Sequence, residues 1–169
     1  MTRPQTTEAA DYYFRYIDLI TSDDIVPAIE SQMGQMLQLL SGINEEQSLH
    51  AYAPGKWTIR EVLNHVNDGE RVFAGRAFWF ARGFTAPLPS FDQDVAVPMA
   101  QANNTSWAEL VEEFKTVRLA TLSFFKTLPE EAWSRTGVAS DYPFTVRSLA
   151  YIIAGHVAHH RNVLAERYL

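Results

Sequence analysis

The 169-residue chain contains no cysteine, so it forms no disulfide and offers no thiolate to a metal ion. It also has no apolar run long enough to span a bilayer, and its N-terminal stretch MTRPQTTEAADYY lacks the hydrophobic segment of a signal peptide. Basic residues are outnumbered, and the formal net charge of −6 argues against a nucleic-acid or anionic-membrane partner. We therefore expect a cytoplasmic protein in which a metal site would have to use histidines and carboxylates.

What the sequence does contain is helical periodicity, in a composition of 47% hydrophobic and 20% charged residues that is ordinary for a globular protein. We expect one domain over residues 1–169. Residues 1–21 end in an aromatic cluster and predict a short helix or arm packed on the main body. Four longer amphipathic helices follow, with predicted starts and ends at Ser22 to Gly42, Thr58 to Gly83, Ser106 to Pro129 and Thr145 to Leu169.

The connections between these helices predict the topology. Residues 83–105 contain three prolines and no helical period, which predicts a loop long enough to cross the whole bundle. Helices two and three then run parallel, whereas the shorter links make helices one and two, and three and four, antiparallel. No segment reads as a strand. The fold class is therefore all-α, a four-helix bundle with a long crossover loop between helices two and three.

Three histidines are the candidate metal ligands. His156 and His160 lie one turn apart in the apolar stripe of the last helix, so both imidazoles face the core. His65 on the second helix is expected at a similar height, since it lies roughly 10 Å from its helix start and His160 roughly 14 Å from its helix end. Three imidazoles can hold Zn²⁺, Ni²⁺, Co²⁺ or Fe²⁺ and leave coordination positions open. Alternatively, they are core-edge histidines bonded to backbone or solvent.

Two acidic residues follow His65 on the second helix. Asp68 lies on the same side as His65 and could orient an imidazole, act as a fourth ligand or serve as general base for metal-bound water. Alternatively, it is an exposed carboxylate at the helix rim. Glu70 faces elsewhere and is predicted to pair with Arg71 or Arg76 at the surface.

Other polar residues near the ends of the bundle are weaker candidates. His159 is predicted to lie at the core boundary or to line the pocket. Arg161 and Arg167 could bind an anionic substrate group, although exposed helix arginines are the more usual case. Asp92 and Asp94, in the crossover, could form a lid over the bundle end or make hydrogen bonds within turns.

Three segments of the chain resemble the DinB-like superfamily. The first is APGKWTIREVLNHVNDGERVFAGRAFWFARG, with Lys-Trp before a capping box and a His-x-x-Asp-x-Glu-Arg run. The second is PLPSFDQD followed by LVEEFKTVRLATLSFFKTLPEEAWSRTG, and the third is the last helix, TVRSLAYIIAGHVAHHRNVLAERYL. The resemblance covers nearly the whole chain from about Tyr12 onward.

This resemblance implies an up-down-down-up bundle with a divalent ion held by His65, His156 and His160. Zn²⁺ or Ni²⁺ is the first expectation, followed by Fe²⁺, Co²⁺ and Mn²⁺. Family members with known activity resemble metal-dependent thiol transferases that use bacillithiol, mycothiol or related thiols, and one branch includes maleylpyruvate isomerase activity. The expected function is therefore addition of a low-molecular-weight thiol to an electrophile. Asp68, chosen for its place beside His65, is the candidate catalytic residue, as base for metal-bound water in a hydrolase. The alternatives are a metal-dependent hydrolase and a non-catalytic stress-associated module, and a homodimer is also implied.

Overall fold

A computed structural model describes residues 2–169, which form a helical bundle with one small hairpin. Its helices and strands, in chain order, are α1 (Phe14–Ile17), α2 (Ile25–Ser41), α3 (Ile59–Ala81), α4 (Gln93–Ala100), α5 (Trp107–Lys126), β1 (Thr136–Ala139), β2 (Tyr142–Thr145) and α6 (Val146–Arg167). Short 3-10 turns occupy Asp11–Tyr13, Gln47–Leu49, Ala102–Asn104 and Glu130–Ser134. The four long helices, α2, α3, α5 and α6, form the up-down-down-up bundle that the sequence predicts. None of the helices described is both long and apolar enough to cross a membrane.

Side-chain caps determine where the helices of the bundle begin. Thr58 accepts a hydrogen bond from the backbone N–H of Glu61, whose side chain accepts one from the N–H of Thr58. The same reciprocal arrangement starts α5, and Thr145 and Ser148 make it at the start of α6. These contacts satisfy backbone donors that would otherwise lack partners, so the predicted starts of these three helices are confirmed.

The helix α6 lies at the centre of the bundle. Every residue from 148 to 158 is buried, because α3, α2 and α1 all pack against it. One apolar cluster surrounds the first half of α6 and the hairpin, and a second lies mainly between α2, α3 and α5. Because this stretch of α6 is buried on all sides, its polar side chains are out of contact with water and need partners within the protein.

The crossover between α3 and α5 is not the plain loop that its sequence predicts. It contains α4, which starts where the side chain of Asp92 accepts a hydrogen bond from the N–H of Asp94. Only Val97 of this helix is buried. The prediction was wrong because eight residues that include Pro98 are too few to display a helical period.

A second correction concerns the segment between α5 and α6, where the sequence shows no strand. The strands β1 and β2 pair antiparallel, and Ser140 and Asp141 form their two-residue turn with φ angles of 51° and 67°. Such turns usually carry glycine or Asn-Gly, so a Ser-Asp turn gives little signal in a sequence. The N–H of Ser140 donates to the carbonyl of Leu88, which attaches the hairpin to the crossover.

The N-terminal arm, which ends with α1, packs on the main body as predicted, and the helix that it contacts is α6. Glu8 forms an ion pair with Arg147 and accepts a hydrogen bond from the hydroxyl of Thr145. Further along, the arm backbone comes so close to α6 that a Cβ on Gly155 would lie 2.1 Å from the carbonyl oxygen of Tyr16. Only glycine fits at this contact, which places the ring of Tyr16 beside the rings of His156 and His159.

Candidate metal centre

Three histidines, His65, His156 and His160, meet between α3 and α6, and we call them the histidine cluster. Thr58 sets the start of α3, so His65 follows about two turns later on the side that faces α6. His156 and His160, one turn apart on α6, face it. The similar height that helix lengths predict for the three residues is therefore confirmed.

The ring nitrogens of the cluster are close enough to share one ion. The Nε2 atom of His156 lies 3.0 Å from Nε2 of His65 and 3.1 Å from Nε2 of His160. One nitrogen from each ring lies within 4.8 Å of the other two. Two nitrogens bound to the same Zn²⁺ at about 2.0–2.1 Å are roughly 3 Å apart at ordinary coordination angles. The observed spacing therefore fits a shared metal ion.

The three rings are buried and uncharged, so their lone pairs are free to bind a cation. Burial lowers the pKa of His65 to about 4 and that of His160 to about 3. Burial, together with the neighbouring histidines, holds the pKa of His156 well below its usual range. A neutral imidazole nitrogen carries one proton or one lone pair, so Nε2 of His156 makes at most one well-aligned hydrogen bond with its two neighbours. A single divalent ion satisfies all three nitrogens, and the residues present therefore fit one.

Packing, rather than a carboxylate, orients the rings. A Cβ on Gly69 would lie 2.9 Å from Cε1 of His156. The ring of His156 can therefore pack against the backbone of α3 only because residue 69 has no side chain. The ring of Trp57 lies 5.0 Å from that of His65, centroid to centroid. The Nδ1 atoms of His65 and His160 have no hydrogen-bond partner in the described part of the chain. These two N–H groups therefore lack the protein acceptor that metal-bound histidines usually have.

Asp68 lies one turn after His65, and its carboxylate bonds to other side chains of α3. It accepts a hydrogen bond from Nδ2 of Asn64 at 2.8 Å and pairs with Arg71 at 3.4 Å. Burial raises its pKa, although Arg71 opposes that shift. Asp68 lines neither of the two cavities that border the histidine cluster. Its catalytic role stays a prediction.

The first of these cavities, which we call the main cavity, has a volume of about 400 Å³ and reaches His65 and His156. The arm, α3, the crossover and the hairpin turn all contribute to its wall. Its other lining residues are Tyr12, Tyr13, Tyr16, Gly69, Val72, Phe73, Arg76, Ser90, Phe91, Asp92, Gln93 and Ser140. The cavity therefore combines aromatic rings with one buried cation, and the histidine cluster lies in its wall.

The second cavity, which we call the side cavity, also has a volume of about 400 Å³ and borders His160. His159 and Arg167 line it, and His159 is half-buried, so it occupies both positions that the sequence allows for, the core boundary and a pocket wall. Arg161 lies apart from both cavities and hydrogen-bonds to Gln35. The cluster can therefore be approached from two directions.

The start of α4 lies between the two cavities. Asp92 lines the main cavity and Asp94 lines the side cavity, although only two positions separate them in the chain. Both side chains are exposed. This position is compatible with the lid that is one of the two sequence-based alternatives. The hydrogen bond from the N–H of Asp94 to the side chain of Asp92 is the turn contact of the other alternative.

Glu70 lies in the bundle core, whereas the sequence predicts it at the surface. It is 2% exposed, and its Oε2 lies 2.9 Å from Nη2 of Arg118, which is 0% exposed. Burial raises the pKa of Glu70 and lowers that of Arg118, and the attraction between them opposes both shifts. The missed signal is on α5, where Arg118 occupies the apolar face between Phe114 and Thr121. An arginine in that register needs a buried partner.

Two residues that border the main cavity were also missed. Gly69 and Arg76 follow His65 by four and eleven residues, a spacing that puts all three on one face of α3. The sequence treats Arg76 as a surface partner of Glu70, whereas it is 4% exposed and lines the main cavity. The spacing itself was the available signal.

Comparisons with known proteins agree on one family and one fold. The sequence model of the DinB superfamily matches residues 28–164. A search of curated proteins finds no match to the sequence. Among solved structures, YfiT from Bacillus subtilis, described as "a probable metal-dependent hydrolase with an unusual four-helix bundle topology", has a TM-score of 0.71 and 14% identity, over 96% of this chain and 89% of its own.

A second solved structure has the same fold. The mycothiol-dependent maleylpyruvate isomerase gives a TM-score of 0.70 and 12% identity, over 86% of this chain and 61% of its own. The match therefore extends over about three fifths of that protein's length. At such low identity the likeness establishes the shared fold.

Proposed function

This chain belongs to the DinB superfamily, and on that premise we propose that it is a metal-dependent enzyme whose divalent ion is held by His65, His156 and His160. The observation that carries the proposal is the convergence of three buried, neutral imidazoles in the wall of an open cavity. Zn²⁺ or Ni²⁺ is the proposed ion, and Fe²⁺, Co²⁺ and Mn²⁺ are further candidates. Three protein ligands leave a coordination position for substrate, as in catalytic sites.

The proposed reaction is the transfer of a low-molecular-weight thiol to an electrophile. A bound divalent ion lowers the pKa of a thiol, so that the nucleophilic thiolate forms near neutral pH. The chain has no cysteine, so the thiol has to arrive with the substrates. The fold shared with a mycothiol-dependent isomerase supports this reaction class. We further propose that the protein acts as a homodimer. Size-exclusion chromatography with light scattering, which gives the molar mass in solution, tests this.

The residues of this chain have distinct parts in the proposed reaction. The histidine cluster binds and orients the ion at the wall of the main cavity. Gly69 and Trp57 hold the rings of His156 and His65 in place, and the arm tyrosines shield the cavity from water. Asp68, which approaches neither cavity, is kept as a candidate base.

Metal analysis of protein purified without a histidine tag tests the ligand set. We expect about one divalent ion per chain in the wild type, because a functional three-histidine site retains its metal. His65→Ala should hold less than about a tenth of an ion per chain. His50→Ala is the matched control, since His50 is exposed and lies outside the cluster. Wild-type protein that takes up neither Zn²⁺ nor Ni²⁺ would refute the metal site.

Activity measurements separate the possible reactions. Metal-loaded wild type and His50→Ala should accelerate the reaction of monobromobimane with at least one low-molecular-weight thiol, whereas His65→Ala should give the background rate. Background rates with every thiol tested would exclude thiol transfer for those thiols. Hydrolysis of model esters by the same protein would then favour a hydrolase. A metal that raises the melting temperature without any reactivity would favour a non-catalytic module.

A further inference from the structure

Three arginines are buried in the described part of the chain, and one of them lacks an anionic partner. Arg60 pairs with Glu45, and Arg118 pairs with Glu70. Arg76 is 4% exposed, and no carboxylate of the described residues lies within ion-pair distance of it. A guanidinium that leaves water without a counter-charge destabilises the folded protein. An anion from outside the chain would remove that penalty.

Neutral groups hold only one end of the Arg76 guanidinium. Its Nη2 donates to the carbonyl oxygen of Pro89 at 2.8 Å and to the hydroxyl of Ser140 at 2.9 Å. Its Nε and Nη1 donate to no described residue, and unlike those of Arg118 they are not sealed inside the core. Arg76 lines the main cavity and also a neighbouring pocket that Trp79 and Leu88 border. A ligand in the main cavity therefore contacts the residue that carries these free donors.

His65 of the histidine cluster and Arg76 are the first and last of the α3 residues that line the main cavity, and we call them its two ends. Arg76 lies eleven residues after His65 on the same face of α3, which corresponds to a rise of roughly 16 Å. It lies seven residues, or roughly 10 Å, beyond Gly69, which touches His156. Aromatic side chains such as Phe73 line the cavity between the two ends.

We propose that Arg76 binds a carboxylate of the substrate, while the reacting end of the same molecule lies at the histidine cluster. The substrate class is therefore an extended organic acid with an apolar middle. Among the described residues, Asp92 is the only acid that lines the cavity, and it is exposed and caps α4, so it leaves the buried cation uncompensated. This inference rests on the proposed function, because it takes the main cavity as the substrate cavity.

Binding of phenylacetate to the protein, measured by calorimetry, tests the proposal. Phenylacetamide is the neutral isostere, and phenylphosphonate distinguishes a tetrahedral oxyanion from a carboxylate. Wild type should bind phenylacetate roughly 10- to 150-fold more tightly than phenylacetamide, as expected for hydrogen bonds between charged groups. Arg76→Gln should lose that preference and Arg76→Lys should keep part of it. Arg82→Gln is the matched control, because Arg82 is exposed just beyond the end of α3 and lines neither cavity.

His65→Ala separates the carboxylate site from the metal site. Phenylacetate binding that survives in His65→Ala and disappears in Arg76→Gln supports the proposal, even if the metal assignment fails. Binding lost in His65→Ala and kept in Arg76→Gln would place the anion at the histidines and overturn it. Equal affinity of the wild type for acid and amide would also overturn it, without relying on the folding of any variant. Tighter binding of phenylphosphonate than of phenylacetate would overturn the carboxylate assignment.

Discussion

Replacing Gly69 by alanine should weaken metal binding without changing any ligand. The added Cβ would lie 2.9 Å from Cε1 and 3.2 Å from Nδ1 of His156. Carbon atoms in contact normally stay about 3.5–4.0 Å apart, so the ring would have to move by roughly 0.6 Å. Metal–ligand distances tolerate changes of only about 0.2 Å. His156 therefore could not keep its present position relative to the other two histidines.

The expected loss can be compared with changes at residues that orient metal ligands, which typically reduce affinity about 10- to 100-fold. That range corresponds to about 1.4–2.8 kcal/mol of binding free energy. Titration of Zn²⁺ against a chromogenic chelator at pH 7 measures it. Gly75→Ala is the matched control on the same helix, because a Cβ there meets nothing within 4 Å. It should leave zinc affinity unchanged and stabilise the protein by about 0.5–1 kcal/mol.

Equal zinc affinity in Gly69→Ala and Gly75→Ala would refute this reasoning, because it would mean that His156 is not a ligand or is not held by α3. Urea unfolding of both variants without metal separates a local effect on the ring from general loss of stability. A Gly69→Ala protein that is stable but binds zinc weakly is the expected result.

Three further predictions concern charged side chains in other parts of the bundle and beside the histidine cluster. Glu70→Gln or Arg118→Met leaves a buried charge unpaired and should lower the unfolding free energy by about 3–5 kcal/mol, whereas replacing both residues by methionine should cost much less; urea unfolding measures this. Burial raises the pKa of Glu8, but hydrogen bonds, above all from Arg147, outweigh that effect and hold it below its usual value. Wild type should therefore be more stable than Glu8→Gln above about pH 4.3, the unfolded pKa, and the difference should vanish as the pH falls through the lowered folded pKa in thermal melts. If Asp68 is the general base, Asp68→Asn should lower kcat at least about 100-fold with the metal content unchanged, and an unchanged kcat would assign it to its pair with Arg71.

Local signals were sufficient to predict the bundle and the histidine cluster. Thr58, Ser106 and Thr145 each combine a capping side chain with an apolar period that follows it, and all three helices begin there. The i, i+4 spacing of His156 and His160 requires a shared face, and helix lengths bring His65 to the same height. Helical geometry therefore accounts for the convergence of the three rings.

The features that sequence reasoning missed depend on contacts between distant parts of the chain. Arg76 becomes a cavity residue only because the crossover supplies Pro89 and the hairpin supplies Ser140. Glu70 is buried only because Arg118 of another helix faces it. Charged residues default to the surface in any single-sequence interpretation, so both were assigned there.

The contact at Gly155 can also be used to sort relatives by sequence. Any side chain at this position would collide with the backbone of Tyr16, so a homologue with a larger residue there cannot dock an arm in this way. The position is easy to find, since it directly precedes the first histidine of α6. Homologues that keep this glycine should have an arm over the main cavity, which would narrow the range of ligands that they bind. Those that have lost it should lack that part of the cavity wall and bind bulkier ligands.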